Sequence, residues 1–146
     1  MKKYIVLLLI ALASFGSITA QEWNTDFTTA KKLAKRNNLP IVLVFQGSDW
    51  CAPCIKLDRE VWSTDEFKAY AKEHYVMLQA DFPRRKNNAL SEEQLNKNKA
   101  LAEKYNRQGI FPFVVVMNAK GDVYGVTSYK KMNTKEYIKE LNSFRK

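Results

Sequence analysis

The chain has 146 residues, 46% of them hydrophobic and 12% aromatic, enough for one ordinary core and too few residues for two independent ones. Charged residues make up 27% and the apolar ones recur in separated bursts, a composition that excludes an intrinsically disordered chain. The formal net charge of +9 is spread over several segments, with Arg84-Arg85-Lys86 the densest run, and fits a solvated basic surface or anionic partners better than nucleic acid.

Met1 to Ala20 begins with two lysines, runs through the apolar stretch Tyr4 to Leu12 and ends in small residues before Gln21, the layout of a secretory signal peptide. Its apolar part is shorter than the roughly 20 residues a spanning helix needs. Cleavage after Ala20 is expected, with an uncleaved anchor as the alternative, and no cysteine stands at the boundary to accept a lipid. The mature chain, residues 21–146, is then a single domain without stable membrane insertion, in the periplasm or secreted. Export also argues against a nucleic-acid partner.

Asp26 to Asn38 places Phe27, Ala30, Leu33 and Ala34 at helical spacing. After Pro40, the run Ile41 to Phe45 reads as a strand buried on both faces. Cys51 to about Glu73 suits helix, interrupted at Ser63 to Glu66, where Ser63 or Thr64 can cap a second piece. Tyr75 to Ala80 is the next strand, and the polar, basic segment Asp81 to Leu90 is a loop. Ser91 to Gln94 matches a capping box and starts a helix that runs to about Gln108. Phe113 to Met117 forms a third strand, and Asn118-Ala119-Lys120-Gly121 turns it into a fourth over Asp122 to Ser128. The last helix, capped by Asn133 or Thr134, carries Tyr137, Ile138, Leu141 and Phe144 on one face.

The chain holds only two cysteines, Cys51 and Cys54. A loop closed over so few residues restrains the unfolded state little, so a stabilising staple is a poor reading of the pair. Cys-x-x-Cys after a buried strand, with a helix starting at the first cysteine, sets that thiol at a helix N-terminus, where free N–H groups and the dipole favour the thiolate. Cys51 is then the nucleophile and Cys54 the resolving thiol. A zinc site needs more ligands than these two and the distant His74. Ile55 stands where c-type haem would require histidine. No cofactor and no metal are expected.

Trp50-Cys51-Ala52-Pro53-Cys54 after the apolar strand, and Pro112 before a later one, resemble the thioredoxin superfamily over about Phe27 to Phe144. Gly47 to Cys51, Lys56 to Asp58 and Val61-Trp62 resemble in particular the exported bacterial thioredoxin-like proteins related to the C-terminal domain of membrane thiol reductases. The resemblance implies a three-layer α/β/α sandwich with a central mixed sheet. It also implies that Trp50 covers the thiol pair, and that Pro112, in cis, faces it and leaves the backbone at Phe111 free to pair with a substrate peptide. The expected function is reduction of protein disulfides, with a membrane thiol reductase supplying electrons. The alternatives are a net oxidant or isomerase, or a non-catalytic binding module on the same fold.

Three positions depart from the family pattern. Phe45 stands where many thioredoxins bury an aspartate, Ala52 replaces a glycine, and Phe113 replaces the threonine after the proline. With Phe45 there, the proton acceptor for Cys54 falls to water or to a carboxylate such as Asp49 or Asp58.

Overall fold

The computed structural model describes residues 21–145; the expected export signal, Met1 to Ala20, lies outside the described residues. The elements in order are α1 (Phe27–Asn37), β1 (Ile41–Gln46), α2 (Ala52–Leu57), a π-helical stretch (Asp58–Trp62), α3 (Asp65–His74) and β2 (Val76–Asp81). A 3₁₀ turn (Lys86–Asn88), α4 (Glu92–Tyr105), β3 (Phe113–Met117), β4 (Val123–Thr127) and α5 (Thr134–Ser143) complete the chain. Among the described residues no helix is long and apolar enough to cross a membrane.

The four strands lie in the order β2-β1-β3-β4. β1 runs parallel to β2 and antiparallel to β3, and β4 returns antiparallel to β3, so the sheet is mixed. β1 is central, and its uninterrupted apolar run is explained by burial on both faces. Val42 and Val44 face a cluster with Leu57, Val61, Trp62, Phe67, Tyr137 and Leu141, from α2, the π-helical stretch, α3 and α5. Ile41, Leu43 and Phe45 face Ala30, Ala34 and Leu101, from α1 and α4. This is the expected three-layer sandwich.

Helix boundaries follow local chemistry. The Asp26 carboxylate accepts the Thr29 N–H, and Asn38, with φ of 54°, ends α1 in the left-handed region that asparagine tolerates. The expected break after Trp62 is present, with Thr64 capping α3, but the preceding segment widens into a π-helical turn, Ser63 N donating to Asp58 O. That extra residue per turn buries Val61 and Trp62 side by side.

Two expectations need correction. Ser91 caps α4 by accepting from Gln94 N, yet the Gln94 amide nitrogen reaches Thr25 O and Asn98 Oδ1 and does not reciprocate as a capping box would. The helix also stops at Tyr105, three residues early, because Asn106 leaves helical geometry and turns its amide to the next loop. By contrast, Asn133 and Glu136 form a full capping box on α5.

Candidate active site

The site is built at the carboxyl end of β1. Gly47 O accepts from Trp50 N and Cys51 N, at 3.3 and 2.9 Å, closing a turn that delivers Cys51 to the start of α2. A Cβ at Gly47 would fall inside the Trp50 indole, so only glycine lets that ring lie against the backbone.

Cys51 is the N-cap of α2, and its sulfur takes the place of the usual capping oxygen, accepting the Cys54 N–H at 3.3 Å. Cys51 and Cys54 are joined in a disulfide, their Cα atoms 5.2 Å apart. Only 4% and 2% of their surfaces are exposed, so a reactant meets the edge of Cys51 and not the pair as a whole. The peptide bond between Phe111 and Pro112 is cis, as the resemblance implied. Trp50 and Phe111 touch edge to face with ring centres 5.6 Å apart, which brings the cis-proline loop against the residue preceding Cys51.

That loop is clamped from two sides by residues that no sequence signal marked. The Asn106 amide, 4% exposed, donates from Nδ2 to Ile110 O and accepts Ile110 N–H at Oδ1, at 2.9 and 3.0 Å. On the far side of the proline, Ser128 Oγ donates to Pro112 O at 2.6 Å, and the buried Tyr137 hydroxyl donates to Ser128 O.

The basic segment after β2 also belongs to the rim. Because β1 and β2 are parallel with Gln46 opposite Asp81, the stretches that leave both strands run side by side. Asp81 accepts from Ser48 N, Ser48 Oγ and Phe82 N. Asp49 accepts from Arg84 N, Arg85 N and Asn88 Nδ2, and these donors, the Arg84 N–H first, pull its pKa down to about 2. The Trp50 Nε1–H donates to Phe82 O at 2.7 Å, and the Arg84 guanidinium lies 3.7 Å from the Trp50 ring centre. Phe82 packs edge to face on Phe111.

Neither carboxylate weighed as a base for Cys54 is free for the task. Asp49 is committed to the loop, and Asp58 is exposed at the start of the π-helical stretch, accepting from Ser63 Oγ. Phe45 is fully buried, its ring 6.4 Å from that of Phe113, and among the described residues the buried polar side chains are Asn98, Asn106, Thr127 and Thr134, with no carboxylate. His74 is exposed and stacked on Tyr70. Among the described residues no three His, Cys, Asp or Glu side chains gather as a metal site would require.

Residues 22–119 match the family described as thioredoxin-like. The chain belongs to that family. This thioredoxin-like protein is 33% identical over 122 residues to the disulfide bond reductase DsbH of Chlamydia pneumoniae, covering 84% of the chain and 71% of that protein. A solved DsbH oxidoreductase superimposes with a TM-score of 0.79 at 31% identity, over 86% of this chain and 85% of the other. The oxidised C-terminal domain of DsbD from Neisseria meningitidis shares the fold, with a TM-score of 0.51 at 18% identity over 80% and 90% of the two chains. The Cys51–Cys54 pair thus sits in a thiol-disulfide oxidoreductase scaffold.

Proposed function

We propose that the protein is an exported thiol-disulfide oxidoreductase that reduces protein disulfides in the periplasm or an equivalent space. The observation that carries the proposal is Cys51 at the cap of α2, its sulfur accepting a helix N–H, beside the loop of the cis Phe111–Pro112 bond. The reduced Cys51 thiolate attacks one sulfur of a substrate disulfide; the substrate S–S bond breaks, and its other sulfur leaves as a thiolate that takes a proton. Cys54 then attacks Cys51 Sγ, forming the intramolecular disulfide and releasing the second substrate thiol. Two electrons pass to the substrate, and a dithiol donor returns them. Trp50 and Phe111 form the apolar rim against which the substrate chain lies, and backbone at Phe111 pairs with it.

Similarity to a protein named disulfide bond reductase favours the reducing direction, as does the absence of any histidine or cation between the cysteines. A dithiol kept reduced in an oxidising space needs a continuous supply of electrons, so a membrane thiol reductase is the implied donor. The test is a pair of variants exposed to disulfide-bonded proteins: Cys54→Ser accumulates mixed disulfides on Cys51, whereas Cys51→Ser accumulates none. Equal trapping by both, or by neither, refutes the assigned roles. Equilibration with glutathione should give a potential nearer about −270 mV than about −120 mV, and a value above about −180 mV would make the protein an oxidant or isomerase. Intact mass of the exported protein should correspond to a chain starting at Gln21.

A further inference from the structure

The loop Arg84-Arg85-Lys86 is basic, exposed and fixed to the active-site turn. The Arg84 and Arg85 N–H groups, with Asn88 Nδ2 just after the run, converge on Asp49, and the Trp50 indole N–H holds Phe82 O just before it. A plain solvated loop has no need of such anchoring, and the anchoring determines where the charges stand. The carboxylates nearest the loop, Asp49 and Asp81, spend their acceptor positions on N–H and hydroxyl donors of the turn and loop. The Arg85 charge still acts on Asp49. Arg84 and Lys86 have no such partner: among the described residues neither enters an ion pair.

Arg84 is the more informative of the two. Its guanidinium carbon sits 3.7 Å from the Trp50 ring centre, a contact that restricts the freedom of an otherwise exposed side chain. A planar fork held beside the nucleophile's neighbour suits a carboxylate, which it can bind through two parallel N–H···O bonds. The rim beneath it, Trp50, Phe82 and Phe111, is aromatic and half-buried. A substrate chain laid on that rim with its disulfide at Cys51 would present its neighbouring side chains to Arg84.

We infer that the Arg84–Lys86 loop selects substrates, with Arg84 pairing with an aspartate or glutamate next to the target disulfide in an acidic protein segment. The inference rests on the proposed reductase activity and names the substrate class for that same site. Charge of this kind acts mainly on the rate of productive encounter and on the rejection of wrong partners.

The experiment uses the reduced, full-length mature protein and three peptide disulfides, identical except for Asp, Asn or Lys beside the cystine. Second-order rates are read by acid quench, alkylation and mass analysis. In about 10 mM salt, where screening extends to about 30 Å, Asp is expected to exceed Lys about tenfold, the difference between attraction and repulsion of unit charges roughly 6 Å apart in water. In about 0.5 M salt the ratio should fall below about twofold. Arg84→Gln should reduce the low-salt ratio to about threefold, and Arg84→Lys, which keeps charge but loses the fork, should fall between. Arg36→Gln is the control for net charge, because Arg36 lies near the end of α1, just before the start of β1 and so at the opposite end of the sheet from Cys51.

Equal Asp and Lys rates in low salt, or the same ratio in Arg84→Gln as in Arg36→Gln, would overturn the inference while leaving the reductase reading intact. Failure of the unmodified protein to reduce even the Asn peptide would sink the reductase reading and the inference with it. Binding to phosphatidylglycerol vesicles that Arg84→Gln abolishes, with no charge preference among the peptides, would assign the loop to a lipid surface and equally overturn it.

Discussion

The sulfur of Cys51 is positioned where its chemistry can be adjusted by a single N–H. In α2 the N-cap is Cys51, and residues Ala52, Pro53 and Cys54 take the first three helical positions. An N-cap acceptor draws on the N–H of the second or third position. Cys54 supplies the third, and Pro53 has no N–H to supply at the second. Replacing Pro53 by alanine adds that donor beside the same sulfur. In the reduced protein it would stabilise the thiolate over the thiol by about 1 kcal/mol, the scale of one helix-terminal N–H acting on a partly exposed charge.

The sign follows directly. A more stable thiolate stabilises the reduced protein, lowers the Cys51 thiol pKa and makes the disulfide more oxidising. For a two-electron couple about 1.4 kcal/mol corresponds to 30 mV, so Pro53→Ala should move the potential about 20 mV in the less negative direction. The full shift is read near about pH 9, where the thiolate dominates. Equilibration against a dithiol buffer, followed by alkylation and mass analysis, resolves such a change. A shift within about 5 mV of zero, or toward more negative values, would refute the role given to the missing N–H. Thermal unfolding of the same variant should show a loss of about 0.4 to 1 kcal/mol, since proline restrains the unfolded chain.

Two further variants probe the rim. Asp49→Asn should speed hydrogen exchange at the Arg84 and Arg85 amides, because an amide oxygen accepts more weakly than the carboxylate. Since the folded-state pKa is depressed to about 2, the carboxylate's stabilising effect is complete above its ordinary value of 3.8 and lost as the pH falls through about 2. The two amide chemical shifts should therefore titrate with a midpoint near 2, and a midpoint near 4 would contradict the anchoring. Asn106→Ala removes both hydrogen bonds to Ile110 and should cost about 2 kcal/mol in urea unfolding; a loss under about 0.5 kcal/mol would mean the clamp contributes little to stability.

What the sequence disclosed and what it withheld divide along a physical line. β1 was legible because burial on both faces demands a continuous apolar run, and α2 because the cysteine spacing only makes sense at a helix start. The π-helical stretch was not legible: Asp58 to Trp62 carries an ordinary helical pattern, and only the break that follows it, at Ser63 to Glu66, was marked by residue type. Asn106 and Ser128 carried no sign at all: each acts on backbone groups of Ile110 and Pro112, and a side chain's choice of a backbone partner leaves no pattern in spacing. The basic run was visible as charge, yet its place beside Trp50 depends on the parallel β1–β2 register, and Asp49, considered as a base, turned out to be the anchor of that run.

Phe45 links these parts of the site. It is fully buried against Phe113, in the same cluster that Phe82 and Phe111 join; the Phe111 ring touches Trp50, and Phe82 accepts the Trp50 indole N–H at its carbonyl oxygen. A carboxylate in that place would be desolvated among apolar rings at a cost of several kcal/mol unless protonated, so a buried base and this aromatic stack exclude one another. With Asp49 at a pKa of about 2 and no buried carboxylate among the described residues, the proton of Cys54 has to pass to water or hydroxide during resolution. The decay of a mixed disulfide on Cys51 should then accelerate with pH about tenfold per unit across roughly pH 6 to 8, following hydroxide, because a built-in base would already be charged over part of that range and flatten the profile. Stopped-flow decay of a pre-formed mixed disulfide measures this, and a rate independent of pH across that window would show that a residue of the protein takes the proton after all.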